Sequence, residues 1–231
     1  MTDWYKIKRV LIWQNNQEKQ IYPATWNPWA NTVAYYPLTD DFNDHKWSWT
    51  LYNLTNNGWS LTTLSWVKCA YYNWSSYSSN SSISFWSTRT LLAWCYLLWN
   101  WMIAYTGTYN SSRYNLLALF SNNSWKLNVS DLQVTWFNTS STYLNQWVLL
   151  AWIVDGQSTS TMKMYINWSL YNESSRNYWS TDTSWLWVWR KYDINSDYLT
   201  WYISNLIIEN KAWTAQEVLD YYNQTKSQYG L

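Results

Sequence analysis

Residues 145–172 read NQWVLLAWIVDGQSTSTMKMYINWSLYN, and this stretch decides the fold. An apolar run, VLLAWIV, ends at Asp155-Gly156, and a second strand-like run, MKMYIN, follows after a polar segment. Asp-Gly between two such runs is a strong turn signal, because glycine adopts the positive φ that tight turns require. The stretch therefore predicts two consecutive antiparallel strands.

The same pattern continues on both sides of this pair, from Thr32 almost to the end of the chain. Short apolar or alternating runs recur about every 8–12 residues between turn residues, a spacing typical of all-β sandwiches and barrels. They include TVAYYPL, TLYNLT, CAYYN, RTLLAWCYLL, MIAYT, YNLLALF, KLNVS, LQVTW, LWVW and WYISNLIIE. No helix is predicted between them, so the sequence indicates an all-β fold, an antiparallel β-sandwich.

One short helix is predicted, at the C-terminal end. Thr214-Ala215-Gln216-Glu217 has the pattern of a capping box, with Thr214 as N-cap and Glu217 at the third helical position. Val218, Leu219 and Tyr222 then supply an apolar face. We expect this helix to pack against the sandwich.

The chain divides into two parts of different texture. Residues 1–30 are predicted to form an N-terminal β-hairpin arm or linker, in which YKIKRVLI and QIYP flank the polar turn NNQEK. Residues 31–231 are predicted to form the sandwich domain. The arm offers a contact surface between copies of the chain, so a homo-oligomer assembled through residues 1–30 is one expectation.

Composition excludes several classes of function. The 15 lysines and arginines are balanced by 14 aspartates and glutamates, which gives no electrostatic basis for binding nucleic acid. No run of 18 apolar residues occurs, so no membrane-spanning helix is expected, and the N-terminus lacks the apolar core of a secretory signal. Cys69 and Cys95 are too few for a disulfide framework. Buried free thiols are the favoured interpretation and a single bridge is the alternative.

Tryptophan and glycine occur in inverted proportions: the chain has 24 tryptophans and 4 glycines. Many tryptophans stand where a β-protein needs glycine, as in NNGWS, YNWSSY and INWSLYN. Some bacteria translate the stop codon TGA as glycine, and a gene of that kind read with another code would show tryptophan at part of its glycine positions. Reading eighteen positions as glycine gives 22 glycines and leaves six tryptophans. The eighteen are Trp13, Trp47, Trp49, Trp59, Trp66, Trp74, Trp86, Trp99, Trp101, Trp125, Trp136, Trp152, Trp168, Trp179, Trp185, Trp187, Trp189 and Trp201.

The alternative is that every tryptophan is real. So many indoles cannot all be buried in a protein of 28.0 kDa, so contiguous apolar surface would be exposed and the protein would associate. Under the recoding hypothesis, replacing Trp74, Trp168 and Trp187 by glycine is expected to raise the soluble yield.

With glycine restored, the order of motifs resembles the laminin-G-like, concanavalin A-like lectin/glucanase superfamily. The resemblance covers about residues 32–226. It rests on VAYYPLTDDFNDHKWSWT, CAYYNWSSYSSNSSISF, RTLLAWCYLL, the stretch quoted first, LWVWRKYD and WYISNLIIENKAWTAQEV, in that order. The resemblance implies a concanavalin A-like jelly roll. The departure from the family pattern is the set of missing glycines.

The chain lacks the residues of a catalytic site. Glucan hydrolases of this superfamily carry carboxylates at alternate positions of one strand, which places an acid and a nucleophile on the same face. None of Glu18, Glu173, Glu209 and Glu217 has an Asp or Glu two or four positions later. The sole histidine, His45, lies in a polar loop where a solvated side chain is the simpler interpretation. We therefore expect no enzymatic activity.

Two kinds of binding site are predicted instead. Aromatic and amide side chains of the Tyr-rich loops could stack on sugar rings and fix their hydroxyls, and the candidates are Tyr72, Asn73, Tyr77, Tyr178 and Asp182. The resemblance also implies that Ca²⁺ is a candidate cofactor at the sandwich edge, with oxygen ligands from Asp40, Asp41, Asp44, Asp193 and Asp197. The alternative for these aspartates is that they cap turns.

These observations favour a non-catalytic module that binds a carbohydrate or a surface protein. The alternative is a structural or virion component, such as a tail or fibre, that uses the sandwich as a receptor-binding tip. A glycoside hydrolase is the remote alternative. An extracellular, cell-surface or virion location is the expectation for each binding role.

Overall fold

The computed structural model describes residues 11–14, 17–20, 31–46, 50–72, 76–84, 88–98, 104–106, 118–120, 128–130, 143, 145–156, 160–176, 184–188 and 201–231. Over these residues the protein is an antiparallel β-sandwich with one C-terminal α-helix, which confirms the predicted fold class. No helix in this part of the chain has the length and apolar character needed to cross a membrane.

The strands are short and follow one another closely. They are β1 Leu11–Gln14, β2 Gln17–Gln20, β3 Thr32–Tyr36, β4 Thr55–Asn57, β5 Ser60–Leu64, β6 Val67–Tyr72, β7 Tyr77–Ser84, β8 Arg89–Leu97, β9 Ala104–Thr106, β10 Ala118–Phe120, β11 Asn128–Ser130, β12 Trp147–Asp155, β13 Ser160–Ile166, β14 Ser169–Arg176, β15 Ser184–Val188 and β16 Trp201–Glu209. Helix α1 spans Ala215–Thr225, and a 3-10 helix, Lys226–Tyr229, continues it. Near the N-terminus, β1 and β2 form an antiparallel pair, in which residues 17–19 of the predicted turn belong to strand β2.

Two sheets form the sandwich. The larger has the strand order β14-β13-β12-β8-β16-β6-β5, with β3 also paired to β16, and the smaller has the order β4-β7-β15-β9. Strand β16 is central, because β8 lies along one of its edges while β6 and β3 share the other. The quoted stretch contributes β12, β13 and β14, which are consecutive antiparallel neighbours.

The larger sheet is covered on both faces, which explains why β12 is one continuous apolar run. Every residue of β12 from 147 to 154 is buried. Since side chains alternate along a strand, Val148, Leu150 and Trp152 belong to the core between the two sheets. Residues such as Leu149 and Ile153 belong to a second core beneath helix α1.

Trp94 anchors the helix to the sheet. Its ring stacks on that of Tyr229 with centroids 4.0 Å apart, and it lies 5.8 Å from the ring of Tyr222. Its indole Nε1 donates a hydrogen bond of 3.1 Å to Thr225 Oγ1 at the end of the helix. The predicted packing of the C-terminal helix against the sandwich is therefore centred on Trp94.

The two cysteines are free thiols on opposite faces of the larger sheet. Cys69 belongs to the core under the helix, whereas Cys95 belongs to the core between the sheets. A disulfide needs Cβ atoms that approach each other, so this arrangement excludes the single-bridge alternative. Burial raises the pKa of Cys69 to about 11 and that of Cys95 well above its ordinary value, so neither is a thiolate at neutral pH.

In two hairpin turns, the tryptophan does not occupy the position at which glycine is required. The two-residue loops Ser65-Trp66 and Asn167-Trp168 join β5 to β6 and β13 to β14. If these tryptophans replaced turn glycines, they would be expected to adopt a positive φ, but the positive φ values, 57° and 58°, belong to Ser65 and Asn167. Trp66 and Trp168 are instead distinguished by exposure, with 67% and 53% of their surface accessible.

The capping box of helix α1 is formed as predicted. Thr214 Oγ1 accepts a hydrogen bond of 3.2 Å from the backbone N–H of Glu217, and Glu217 Oε2 accepts one of 2.8 Å from the N–H of Thr214. Lys211 Nζ also contacts Glu217 Oε1. Burial alone would raise the pKa of Glu217, but the hydrogen bonds from Lys211 and Thr214 lower it below its ordinary value.

Replacing Thr214 by alanine is expected to lower the free energy of unfolding by about 1 kcal/mol, because it removes the side-chain cap. Glu217→Gln is expected to remove the pH-dependent part of the same interaction. The folded-state pKa of Glu217 is depressed, so its contribution is present above the unfolded-state pKa of about 4.3 and is lost as pH falls through the folded value. Urea unfolding at pH 7 and at about pH 3, well below the unfolded-state pKa, checks both variants; an unchanged pH dependence in Glu217→Gln would contradict this role.

Candidate functional site

Two adjacent tyrosines at the end of β6 point in opposite directions. Tyr72, predicted as a ligand contact, is fully buried; its ring stacks on Trp59 at 4.9 Å and its hydroxyl lies 3.2 Å from Ser78 Oγ. Its neighbour Tyr71 faces the other side of the sheet and is half-buried. Tyr72 is therefore a core residue, and Tyr71 is the one of the pair that a ligand can reach.

Tyr71 is part of an aromatic row that runs across the strands of the larger sheet. Tyr202 on β16 is in register with Tyr71 on β6 and with Tyr96 on β8. The ring centroids of Tyr71 and Tyr202 are 5.1 Å apart, and those of Tyr202 and Tyr96 are 6.1 Å apart. All three side chains are half-buried. We call Tyr71, Tyr202 and Tyr96 the tyrosine row.

The row continues into the core at one end. Trp147 on β12 is in register with Tyr96, and the two rings meet edge to face with centroids 5.7 Å apart. Trp147 is buried and also contacts the ring of Tyr229, 5.0 Å away, in the 3-10 helix. The tyrosine row is therefore an extension of the core under the helix, and its position is fixed by packing rather than by a loop.

The side chains of the row are phenols, each of which combines an aromatic ring with a hydroxyl group. Burial raises the pKa of Tyr202, and the neighbouring groups that raise it further are Tyr71, Cys69 and Tyr96. The row thus presents aromatic rings and hydroxyl groups, a surface suited to a ligand with both C–H faces and hydroxyls.

The remaining predicted ligand contacts are not brought to this row. Tyr77 begins β7 of the smaller sheet and packs, half-buried, against the core between the sheets. Asn73, Tyr178 and Asp182 lie outside the described residues and stay predictions.

Asp44 is buried, and its carboxylate accepts hydrogen bonds from backbone N–H groups. Its Oδ1 accepts hydrogen bonds of 3.0 Å from the backbone N–H groups of Tyr35 and Lys46, and its Oδ2 accepts one of 3.1 Å from that of Tyr52. The carboxylate thus joins strand β3 to the loop that follows it. Its oxygens accept hydrogen bonds from amide groups, as the turn-capping alternative describes, and a Ca²⁺ role for Asp44 stays a prediction.

The two neighbouring aspartates are also occupied by donors. Asp41 accepts hydrogen bonds from the backbone and side-chain amides of Asn43 and lies 2.7 Å from His45 Nε2, while Asp40 pairs with Lys68 Nζ at 2.5 Å. Over the residues that the structure describes, no three acidic, histidine or cysteine side chains gather as a metal site would require. Asp193 and Asp197 lie outside those residues, and their role as Ca²⁺ ligands stays a prediction.

The described glutamates near the helix have structural partners. Glu209 is buried, where its carboxylate accepts a hydrogen bond of 3.1 Å from Thr32 Oγ1 and one from the indole N–H of Trp213. Glu217 is engaged in the capping box. Glu173 is exposed on β14, which is an edge strand of the larger sheet. Glu209 and Glu217 are therefore engaged in structural hydrogen bonds.

Comparison with known proteins reveals similarity of fold without similarity of sequence. No protein-family model matches the chain, and no curated protein matches it in sequence. Domain 4 of AbnA, a GH43 extracellular arabinanase from Geobacillus stearothermophilus solved in complex with arabinotriose, superimposes with a TM-score of 0.64 at 16% identity, covering 83% of this chain and 98% of that domain.

Toxin domains are similar over the same share of the chain. The binding domain of Paraclostridial Mosquitocidal Protein 1 superimposes with a TM-score of 0.62 at 16% identity, and the binding domain of botulinum neurotoxin serotype D with 0.57 at 13%. Each comparison covers 84% of this chain, but only 52% and 51% of the toxin domains, so the chain spans about half their length. At these identities the comparisons establish the fold, a β-sandwich that is shared with binding domains.

Proposed function

We propose that the protein is a non-catalytic module that binds a neutral carbohydrate through the tyrosine row. The observation that carries this proposal is the alignment of three half-buried tyrosines, one on each of three neighbouring strands, with no formal charge among them. The C–H face of a sugar ring packs on an aromatic face, and the phenol hydroxyls provide hydrogen-bond partners for sugar hydroxyls.

The similar structures support a binding role of this general kind. One was solved with arabinotriose, and others are binding domains of toxins. Membership of the laminin-G-like, concanavalin A-like superfamily is the finer part of this proposal, and the order of motifs along the chain supports it. Arabinotriose is a reasonable first probe, together with xylotriose, cellotriose, maltotriose and mannotriose and their parent polysaccharides.

Tyr202→Ala is expected to weaken binding of the best trisaccharide at least about tenfold, which corresponds to about 1.4 kcal/mol. Tyr202 is the central residue of the row, so its removal separates the other two rings. Tyr202→Phe retains the aromatic face and is expected to lose less than Tyr202→Ala. Isothermal titration calorimetry measures all three proteins.

Tyr171→Ala is the matched control, because Tyr171 is also half-buried but lies on β14, away from the row. It is expected to leave the affinity unchanged. Equal affinity of Tyr202→Ala and the parent protein for every sugar that binds would place the site elsewhere and overturn the proposal.

A further inference from the structure

Seven aromatic rings form a continuous chain from strand β6 to helix α1. The tyrosine row is its first part, and Trp147, Tyr229, Trp94 and Tyr222 extend it in that order. From Tyr71 to Tyr222, successive ring centroids are 5.1, 6.1, 5.7, 5.0, 4.0 and 5.8 Å apart. None of the seven residues is among the eighteen tryptophans read as glycine, so the chain consists of the same residues whether or not the gene is recoded.

The middle of this aromatic chain is buried and both of its ends are partly exposed. Trp147, Tyr229 and Trp94 belong to the core under the helix, whereas Tyr71 and Tyr222 are half-buried. An aromatic ring that loses one electron becomes a cation until it releases a proton, and a charge in the core is costly. The oxidised form of a ring is therefore more stable at the ends of the chain, where water accepts the proton of a phenol hydroxyl.

The hydrogen-bond partners of the buried rings do not favour loss of their protons. Trp147 Nε1 is buried without a partner. Trp94 Nε1 donates to the hydroxyl of Thr225, and Tyr229 Oη donates to that of Ser204 at 3.1 Å. A hydroxyl is a weak base, so an oxidised ring in the middle of the chain stays a strong oxidant and takes an electron from the next ring.

From this arrangement we infer a further function: the aromatic chain carries oxidising equivalents out of the core to tyrosines at the surface. Phenol and indole lose a single electron more readily than the other aromatic side chains, and rings in contact exchange electrons readily. This function does not depend on carbohydrate binding at the tyrosine row.

The electrons and protons balance at each step. An oxidising radical takes one electron from the ring of Trp147 and becomes an anion. Tyr96 returns one electron to Trp147 and releases its phenol proton to water, which leaves a neutral tyrosyl radical. Tyr202 and then Tyr71 restore their neighbours by giving up one electron and one proton each. A soluble thiol or ascorbate finally donates a hydrogen atom to the tyrosyl radical, and the protein is unchanged.

Selective oxidation of tryptophan in the whole protein tests this function. The azide radical, generated by radiolysis of an azide solution at neutral pH without a thiol or ascorbate, oxidises indole in preference to phenol. Mass spectrometry of tryptic peptides then gives the fraction of irreversibly oxidised indole at Trp147 and Trp94. Trp213, which is buried outside the chain of seven rings, is the internal reference.

Phenylalanine substitutions interrupt the chain at its two exits, because a phenyl ring retains the packing but is not oxidised. Combining Tyr96→Phe with Tyr222→Phe is expected to at least double the oxidised fraction of Trp147 and Trp94 relative to that of Trp213. Tyr96→Phe alone is expected to increase the oxidation products at Tyr222, because one exit remains.

Tyr171→Phe is the matched control, since Tyr171 is half-buried on β14 and lies outside the chain of rings; it is expected to leave all these fractions unchanged. Near-UV circular dichroism checks that the variants keep the packing of the parent protein. Equal oxidation of Trp147 and Trp94 in the parent and the double variant would overturn the inference, as would an equal rise in Tyr171→Phe. If the double variant fails to fold, the single variant decides: unchanged oxidation at Tyr222 in Tyr96→Phe also overturns it.

Discussion

Replacing Trp152 by glycine is expected to lower the free energy of unfolding by about 1–3 kcal/mol less than replacing Trp94 by glycine, which should lower it by about 3–5 kcal/mol, the usual loss for a large buried aromatic side chain. Both indoles are buried in β-strands of the larger sheet. They differ in their interactions: Trp94 Nε1 donates to Thr225, but Trp152 Nε1 is buried without a hydrogen-bond partner. A buried donor left unsatisfied costs about 1–3 kcal/mol.

Trp59 has the same character as Trp152. Its Nε1 is also buried without a partner, and its ring centroid lies only 3.1 Å from that of Phe42. Aromatic pairs in proteins keep their centroids about 4.5–7 Å apart, so Trp59 and Phe42 are closer than such pairs normally are. Trp59→Gly is therefore expected to behave like Trp152→Gly. We propose that Trp59 and Trp152 are glycine in the natural protein.

Trp213→Gly is the second control and should lose about as much stability as Trp94→Gly, because its indole N–H donates to Glu209. A missing hydrogen-bond partner does not by itself distinguish recoded glycines from true tryptophans, since Trp147 Nε1 also lacks a partner although we assign Trp147 as a true tryptophan. Urea unfolding of the four variants measures the difference. Equal large losses in all four would contradict recoding, as would TGG codons in the gene at Trp59 and Trp152.

Asp44→Ala is expected to lower the free energy of unfolding by about 3–5 kcal/mol, the second large effect. The substitution leaves the buried backbone N–H of Tyr35 and the half-buried ones of Lys46 and Tyr52 without this acceptor. A hydrogen bond to a charged group contributes about 1.5–3 kcal/mol, and the two half-buried ones contribute less because water can replace the carboxylate. Thermal and urea unfolding measure the loss.

Asp41→Ala is the matched control for Asp44→Ala. Asp41 lies in the same loop, but its partners, Asn43 and His45, are exposed side chains or backbone groups that water can satisfy. Its removal is expected to cost less than about 1 kcal/mol, as for other surface interactions. Similar losses in both variants would contradict the structural role of Asp44. Addition of Ca²⁺ should not shift the unfolding transition of either protein if these carboxylates serve the backbone.

The fold was predictable because its signals are local. The run VLLAWIV with Asp155-Gly156 indicates a strand and a turn from neighbouring residues alone, and Thr214 with Glu217 indicates the start of a helix. Strand order is different, because it depends on contacts between residues far apart in sequence. Tyr71, Tyr96 and Tyr202 become neighbours only because β16 pairs with both β6 and β8.

The sequence predicted Tyr72, and not Tyr71, as a ligand contact, and this error shows a second limit of prediction from sequence. A shift of one residue along a strand exchanges the two faces of the sheet, and both faces of the larger sheet carry aromatic residues. Alternation of polar and apolar residues, which normally identifies the outer face, is therefore missing from β6. Asp44 likewise stands among polar loop residues in sequence, and only the fold brings its carboxylate to three backbone amides.

The tyrosine row does not depend on the disputed tryptophans, since Tyr71, Tyr96, Tyr202 and the supporting Trp147 are outside the eighteen positions. The most direct test of carbohydrate binding at this row is an NMR titration of protein with isotope-labelled tyrosine rings, using the trisaccharide that binds best. The account predicts saturable shifts in the signals of Tyr71, Tyr96 and Tyr202, assigned by single substitutions to phenylalanine, and none in that of Tyr171. Saturable shifts confined to tyrosines outside the row would contradict it.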